Sequence, residues 1–578
     1  MHLGWIDYGV LVLLLSLSVC IGVYQGCFRS KQLTTHEFLI ADGNFTNRDE
    51  FISKSYKFIH MEPCTSTGAS RSRPKNKHVH CCSYIVFAYF VGTYLTANLF
   101  IPLFRQIGNL SIYAYLEHRF SLTIRIVVTL TYIFVTIFYI AIVLYGPSLA
   151  LSQVTGLHIW LAVGSCGLIC TIYTSIGGMK AVIWTDVTQT IMMFLGVILS
   201  MIIGFRNSGG ISNVFKTVAD GNRIQLSTIS IDPSIRYTIW SIIIGGSLNA
   251  TAVYSCLQTQ AQRYLCVKST RAAQKVAWVN LVMCIIMMLL CVSVGCLLYA
   301  KYSECDPLRA RLISKPDQLY PLFVIETLGR FPGLTGLFIA SVLSASLSTI
   351  SSGVNSVVTV FLEDIYKRVV KTNPMSDRKQ ALVSKLLSLF IGLLIVFLAF
   401  AASRLGDNII VIVFQISGSF AAPILGVFLV GLFLPRVKSR SVLIAFVCCL
   451  IFQAWVLLGA TLTVKPRVGE GGRLPISVDK CVSKINISQS MATEQSPNIF
   501  TPLYSISVMW YSFNGVIIVI LLGLLGSFVF DAKDTKIVDK SLLRSWNDLF
   551  VCFRKDEELT TLQANEIEMD TIEKEPMF

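Results

Sequence analysis

Charge is what this sequence has least of: Asp, Glu, Lys and Arg together make up 14% of its 578 residues. Soluble domains run near 25%, because a surface facing water needs charge. A chain of this length folded as several water-soluble globules could not cover them, which excludes soluble enzymes and secreted disulfide scaffolds. Metal and redox patterns are missing too. The 17 cysteines include no Cys-x-x-Cys pair. Cys20, Cys166, Cys170, Cys284, Cys291, Cys296, Cys448 and Cys449 lie inside apolar runs, where cysteine is a small hydrophobe rather than a ligand. No phosphate-cradling loop or nucleophile elbow appears, and His158 stands alone at a helix start, so no enzyme and no cofactor are expected. The first apolar run lacks a basic leader and a clear cleavage site, so no cleavable signal peptide is expected either.

What is present in quantity is apolar: 54% of the residues, with a mean hydropathy of +0.65. The apolar residues gather in blocks of about 17–27, the length a helix needs to cross hydrocarbon. The pattern predicts an all-α polytopic membrane protein with helices near 8–24, 83–104, 127–150, 156–176, 182–206, 236–260, 276–300, 335–361, 383–403, 409–434, 441–463 and 507–530. The breakers Gly146-Pro147, Gly245-Gly246 and Gly418 through Pro423 are expected to interrupt three of them.

The net charge of +15 would suggest nucleic acid in another setting. Here no basic run has the context of a nucleic-acid module, and membrane proteins collect Lys and Arg in their cytoplasmic loops. The short basic segments Arg105–Arg125, Arg263–Lys275, Lys367–Lys379 and Arg436–Arg440 fall on one side if helices alternate from residue 83, and that side is the cytoplasm. Residues 1–7 are then an extracellular N-terminus, 8–530 a membrane domain, 464–506 an extracellular loop, and 531–578 a polar, disordered cytoplasmic tail. The sequon at Asn486 lies outside and is a glycosylation candidate. That at Asn109 lies inside, that at Asn249 within a helix, and that at Asn44 on a side the pattern leaves open.

Residues 41–82 break the scheme. They contain no apolar run, and basic residues recur from Arg48 to Lys77. Arg29 and Lys31 place the end of the first helix in the cytoplasm, yet the helix from 83 must start outside to deliver Arg105 inside. One crossing is missing.

Several motifs stand together: Gly177-Gly178-Met179-Lys180-Ala181-Val182-Ile183-Trp184-Thr185-Asp186, Gln262-Arg263-Tyr264-Leu265, Ala345-Ser346-Leu347-Ser348-Thr349, Asn355-Ser356 and Glu363-Asp364-Ile365-Tyr366. With Tyr145 through Gly156 and Ala97 through Phe104, this set resembles the sodium/solute symporter family, in its monocarboxylate and multivitamin branch. The resemblance implies a LeuT-like transporter fold of five-plus-five inverted repeats, with sites near the bilayer midplane. It also implies that members carry a broken apolar core helix where this chain has 41–82. By that comparison 41–82 is an aberrant polar insert, a coding segment exchanged by splicing or in the gene model.

Read alone, the hydroxyls of Ser348 and Thr349 suit either close helix packing or a hard cation. The resemblance makes them sodium ligands, with Ala345 supplying a carbonyl. Asp186, an acid inside a membrane helix, is either part of a sodium path or the partner of a nearby base. Gln258 and Gln260, with Tyr254 and Gln415 behind them, are candidate substrate contacts, though such amides also bridge helices. Arg263 reads as the cytoplasmic end of its helix. The resemblance thus implies a sodium-coupled plasma-membrane symporter of small organic anions such as monocarboxylates, with vitamin-like carboxylates or iodide as alternative substrates. Sodium, substrate and lipid are the expected partners. The alternative is a transport-inactive variant acting at most as a membrane sensor or scaffold.

Overall fold

The computed structural model describes residues 4–24, 78–221, 229–235, 237–308, 310–313, 315–369, 376–402, 409–462, 500–530 and 538–544. Residues 41–77 of the insert expected over 41–82, the sequon at Asn486 and the tail beyond 544 lie outside them, while the insert's last five residues, 78–82, are the first turn of a helix rather than part of a polar insert. Eleven helical runs among these residues are long and apolar enough to cross a bilayer. Helices suit such sequence because every backbone polar group is satisfied within the segment. The principal helices are α1 (Trp5–Val23), α2 (His78–Leu95), α3 (Leu122–Thr155) and α4 (Ile159–Asn207). Then come α5 (Ser247–Ser255), α6 (Gln258–Leu265), α7 (Thr270–Tyr302), α8 (Leu334–Val360) and α9 (Asp377–Ala402). The last are α10 (Ile409–Ile416), α11 (Ala422–Phe433), α12 (Ser439–Leu462) and α13 (Trp510–Phe530).

All twelve expected helices are present. The run at 236–260 is the one in pieces: a π-helical turn at Ser241–Gly246, then α5, then a break at Cys256–Leu257 before α6. Another π-helical turn, Ser417–Ala421, joins α10 to α11 beside Pro423. α4 holds two crossings, Ile159–Met179 and Ala181–Asn207, hinged at Gly178. Its φ of 57° is a left-handed value that a side chain would oppose.

Gly146-Pro147 does not interrupt its helix, contrary to expectation: α3 runs unbroken through Pro147. Proline removes the N–H that would bond the carbonyl of Val143. The Ser346 hydroxyl of α8 donates to that carbonyl instead, at 3.1 Å. A neighbouring helix re-satisfies the freed group, so the ladder tolerates the defect.

The crossings alternate about a common basic end. Arg105 donates to the carbonyls of Tyr264, Val267 and Lys268. Arg119 donates to those of Gly431, Leu434 and Val437. Arg125 pairs with Glu117 and Asp364. α1 ends at this basic end, where a Cβ on Gly22 would touch Tyr173 and one on Gly177 would meet the Gly22 carbonyl. It starts at the far end: Asp7 Oδ1 accepts from the N–H groups of Gly333 and Gly336, at 2.9 and 3.1 Å. A carboxylate on the first N–H groups of a helix caps it, so α1 closes the start of α8. α2 runs in the same direction, from contacts with Gly246 and Ala250 down to the Arg105 bonds near Lys268. Two successive described helices are therefore parallel, and the chain between Val23 and His78 joins opposite ends of the bundle.

Candidate functional site

α8 and its extension to Val369 form the most deeply buried of the eleven runs. Its composition explains how a hydroxyl-rich helix can sit there. Several of its hydroxyls find a backbone carbonyl: Thr349 Oγ1 donates to Ala345 O at 3.1 Å, Ser351 Oγ to Ser348 O at 3.1 Å, and Ser356 Oγ to Gly353 O at 2.8 Å. Small side chains also admit neighbours closely. Ala345, Ser348 and Thr349 lie near the middle of α8, on successive turns, with Ser348 and Thr349 buried.

Asp186 reaches this group from the second limb of α4, about two turns after the hinge that Gly178 makes. Its two oxygens are used differently. Oδ1 accepts from the Ser348 hydroxyl, and Oδ2 accepts from Arg263 Nη2 at 2.9 Å. The same guanidinium nitrogen donates to Ser352 Oγ, one turn along α8 from Ser348. Arg263 lies in the last turn of α6, at the helix end its sequence position suggested, but its side chain turns inward rather than out to water. The break at Leu257 redirects α6, turning the guanidinium inward until Arg263 is 7% exposed and Asp186 1%. An unpaired charge at such a depth is costly, so pairing keeps both ionised groups there. Three helices thus converge on one carboxylate, with a hydroxyl on one side and a cation on the other.

The remaining candidates separate. Gln258 ties α6 to the turn before Ala114: its Nε2 donates to Leu110 O at 2.6 Å and its Oε1 accepts from Ile112 N at 3.0 Å. The Tyr254 hydroxyl faces Cys284 Sγ at 3.6 Å, and its ring lies 5.9 Å from that of Tyr89. Gln415 is buried at the end of α10, beside the π-helical turn. Gln260 differs from these. It is buried, and its Oε1 has no hydrogen-bond partner among the described residues.

Two clusters escaped the sequence reading. Tyr132, Thr259 and Ser356 form a triangle of hydroxyls at 2.6–2.9 Å beside the break that separates α5 from α6. At the basic end Asp364 is held by Arg125, Ser111 and Thr129, while Glu117 joins Arg125 to Arg368. Residues so far apart in sequence announce no partnership. Their only signal was polarity inside or beside an apolar run. Among the described residues no group of three His, Cys, Asp or Glu side chains could hold a transition metal. Cys305, in a far-end loop, is disulfide-bonded.

Comparison with known proteins adds a context for this geometry. The profile of the family described as sodium:solute symporter family matches residues 81–449, a span that opens where the polar insert ends. The human sodium-coupled monocarboxylate transporter 2 is 33% identical over 550 residues, covering 95% of this chain and 87% of that protein. The human sodium/iodide cotransporter is also 33% identical, covering 94% of this chain and 86% of its own length. Among solved structures, a substrate-bound, outward-open Na+-coupled sialic acid symporter superposes with a TM-score of 0.72 at 22% identity, covering 91% of this chain and 98% of that one. At that identity the likeness shows the fold, which is the LeuT-like five-plus-five arrangement.

Proposed function

Because the chain belongs to the sodium:solute symporter family, we propose that it is built to couple sodium entry to uptake of small organic anions, monocarboxylates first among them. The observation that carries this is the convergence of Ser348, Asp186 and Arg263 at the centre of a bundle whose central helix is rich in hydroxyls. In this reading sodium binds the hydroxyls of Ser348 and Thr349 and the Ala345 carbonyl. Its positive charge draws Asp186 Oδ1 away from Ser348, while Arg263 keeps the carboxylate paired. By linkage, sodium that favours one orientation of the bundle raises substrate affinity in that orientation. One charge moved across 100 mV supplies about 2.3 kcal/mol for uptake.

Gln260 Oε1 is an uncommitted acceptor, suited to a hydroxyl or N–H of the substrate rather than to its carboxylate; Tyr254 and Gln415 lie too deep in helix contacts to be first choices. Related proteins named for monocarboxylates and for iodide favour an anion as cargo. The basic end faces the cytoplasm by the positive-inside rule. The disulfide at Cys305 supports that orientation, since the far end then faces an oxidising exterior. The plasma membrane is the expected site, with 1–7 and 464–506 outside, Asn486 glycosylated and 531–578 inside.

A second reading is favoured by the parallel course of α1 and α2: a chain that binds sodium without transporting, because one crossing of the core is exchanged. Sodium-driven uptake of a labelled monocarboxylate into vesicles separates the two. Uptake by the unmodified chain establishes the first. Uptake only after 43–82 is replaced by the Gly-interrupted apolar helix of a close relative establishes the second. No uptake by either protein refutes the coupling itself.

A further inference from the structure

Lys315 stands in the far-end connection between α7 and α8, and its ammonium reaches onto α3. Nζ donates to the Tyr145 hydroxyl at 3.1 Å and lies 5.3 Å from the centre of that ring. The loop that carries it is anchored. Lys315 N donates to Gln318 Oε1 at 3.0 Å. The helix Leu319–Leu328 that follows sets the Tyr320 hydroxyl 2.6 Å from Ser200 Oγ of α4, with its ring edge-on to Phe338 of α8. Lys315 is half-buried, and Tyr145 is 6% exposed. No carboxylate among the described residues, Asp317 two positions on included, is paired with this ammonium. At the same end of the bundle Glu326 pairs with Lys301 and accepts from Tyr302. A half-buried cation held only by a neutral group attracts an approaching anion.

Tyr145 fixes where that cation stands. Phe134, Phe138 and Tyr145 are spaced by four and then seven residues, so at about 100° per residue they share one face of α3. Phe134 packs edge-on against Phe420 of the π-helical turn Ser417–Ala421, with ring centres 5.6 Å apart. The ammonium therefore lies over the face that α3 turns to the interrupted helix α10–α11. Its depth follows from the bond between Ser346 and the Val143 carbonyl, since Tyr145 is two residues, or about 3 Å, further out along α3. Tyr145 is thus just outside the level of Ala345, and Lys315 comes to it from the outer side.

We infer that Lys315 and Tyr145 form an outer binding site for the carboxylate of an organic anion, a stop between the exterior and the centre of the bundle. The hydrogen-bond inventory selects this ligand. The Tyr145 oxygen accepts from Nζ, so its own O–H proton is left to donate, and Nζ keeps two further protons. Two donors whose heavy atoms are 3.1 Å apart suit the two oxygens of one carboxylate, in charge-assisted bonds. A halide offers a single centre, and a neutral amide lacks the charge that would pair with Lys315. The inference rests on the anion reading of the cargo, and it requires no sodium.

The test uses the purified full-length chain in detergent and choline salts, which keeps sodium out of the measurement. Lys315 is acylated by a water-soluble N-hydroxysuccinimide ester, and peptide mass spectrometry follows its rate against that of Lys301. Choline propionate is compared with choline chloride, choline iodide and added propionamide. Expected is a saturable slowing at Lys315 with propionate alone, about tenfold at ten times the half-saturating concentration. Tyr145→Phe keeps the ring and should raise that half-saturation about tenfold through the lost donor. Lys315→Met keeps the stem and should lose the propionate-dependent rise in unfolding temperature that the parent shows. Equal rates with and without propionate, or equal protection by iodide or propionamide, overturn the carboxylate site. A contact that only ties the loop predicts variants that unfold earlier yet respond to propionate as the parent does, and that result overturns the site as well. Should the site fail while propionate still raises the unfolding temperature in sodium chloride, the anion reading survives. A rise in neither salt overturns both.

Discussion

Replacing Arg263 by Met removes the cation from Asp186 while keeping an unbranched side chain in the space. Asp186 is 1% exposed, and its other oxygen meets only a neutral hydroxyl among the contacts described above. Taking one partner from a buried pair leaves an uncompensated charge and costs about 3–5 kcal/mol. Asp186→Asn should cost a similar amount, because it strands the guanidinium instead. The double variant, Arg263→Met with Asp186→Asn, removes both charges, and apolar or neutral replacements of whole buried pairs are often close to neutral. The double variant should therefore lie well above either single variant in stability, with a coupling energy of about 3 kcal/mol. Denaturant midpoints of the four proteins in the same micelle close the cycle. The cation logic adds a second reading of the same samples. In Arg263→Met the stranded carboxylate should recruit sodium, which stabilises by about 2.7 kcal/mol at a hundred times Kd. Sodium should not rescue the double variant. Effects that add within about 0.5 kcal/mol across the cycle, with no sodium rescue, refute the claim that the pair acts as a unit.

Other expectations follow from individual contacts. Asp7→Ala should uncap α8 and cost roughly 1 kcal/mol, seen as a lower unfolding midpoint, with Asp7→Asn between parent and Ala; equal midpoints for all three would show that the cap contributes nothing. In any form that transports, Ser348→Ala and Thr349→Ala should raise the sodium half-saturation by about ten- to a hundredfold, from a loss of roughly 1.5–3 kcal/mol, with a smaller change in substrate affinity. Chain expressed in cells should lose apparent mass on enzymatic deglycosylation, and Asn486→Gln should not. A tag on the C-terminus that antibody reaches on intact cells would invert the topology.

Much of the architecture was legible because hydrocarbon imposes a length and an apolarity on every crossing. The site was partly legible for the opposite reason: Asp186, Ser348 and Thr349 are visible as polar residues where none should be. What failed was anything that depended on a second helix. Arg263 does end its helix, as its place after an apolar run suggests, but its pairing with Asp186 and Ser352 depends on two other helices and left no trace in the sequence. Pro147 looked like a break because its cure, the Ser346 hydroxyl, comes from α8. Gln258 stood open between a substrate contact and a structural bridge, because no pattern announces that the backbone at Leu110 and Ile112 will bond both ends of its amide. The missing crossing, by contrast, was readable from charge parity and returns as the shared direction of α1 and α2.

That shared direction bears on how the protein is made. Membrane helices are inserted in chain order, each taking its orientation from what precedes it and from the charges at its ends. α1 delivers the growing chain to the basic end, and α2 must begin at the other. If residues 24–77 stay on the side where α1 leaves them, α2 enters upside down and every later crossing enters inverted with it, Arg105 and Arg119 included. The result is a whole bundle facing the wrong way, opposed at each loop by the basic residues that set topology. A single early segment of this chain therefore decides between a correctly oriented molecule and its topological mirror, and cells would sort the two by surface delivery before any question of transport arises.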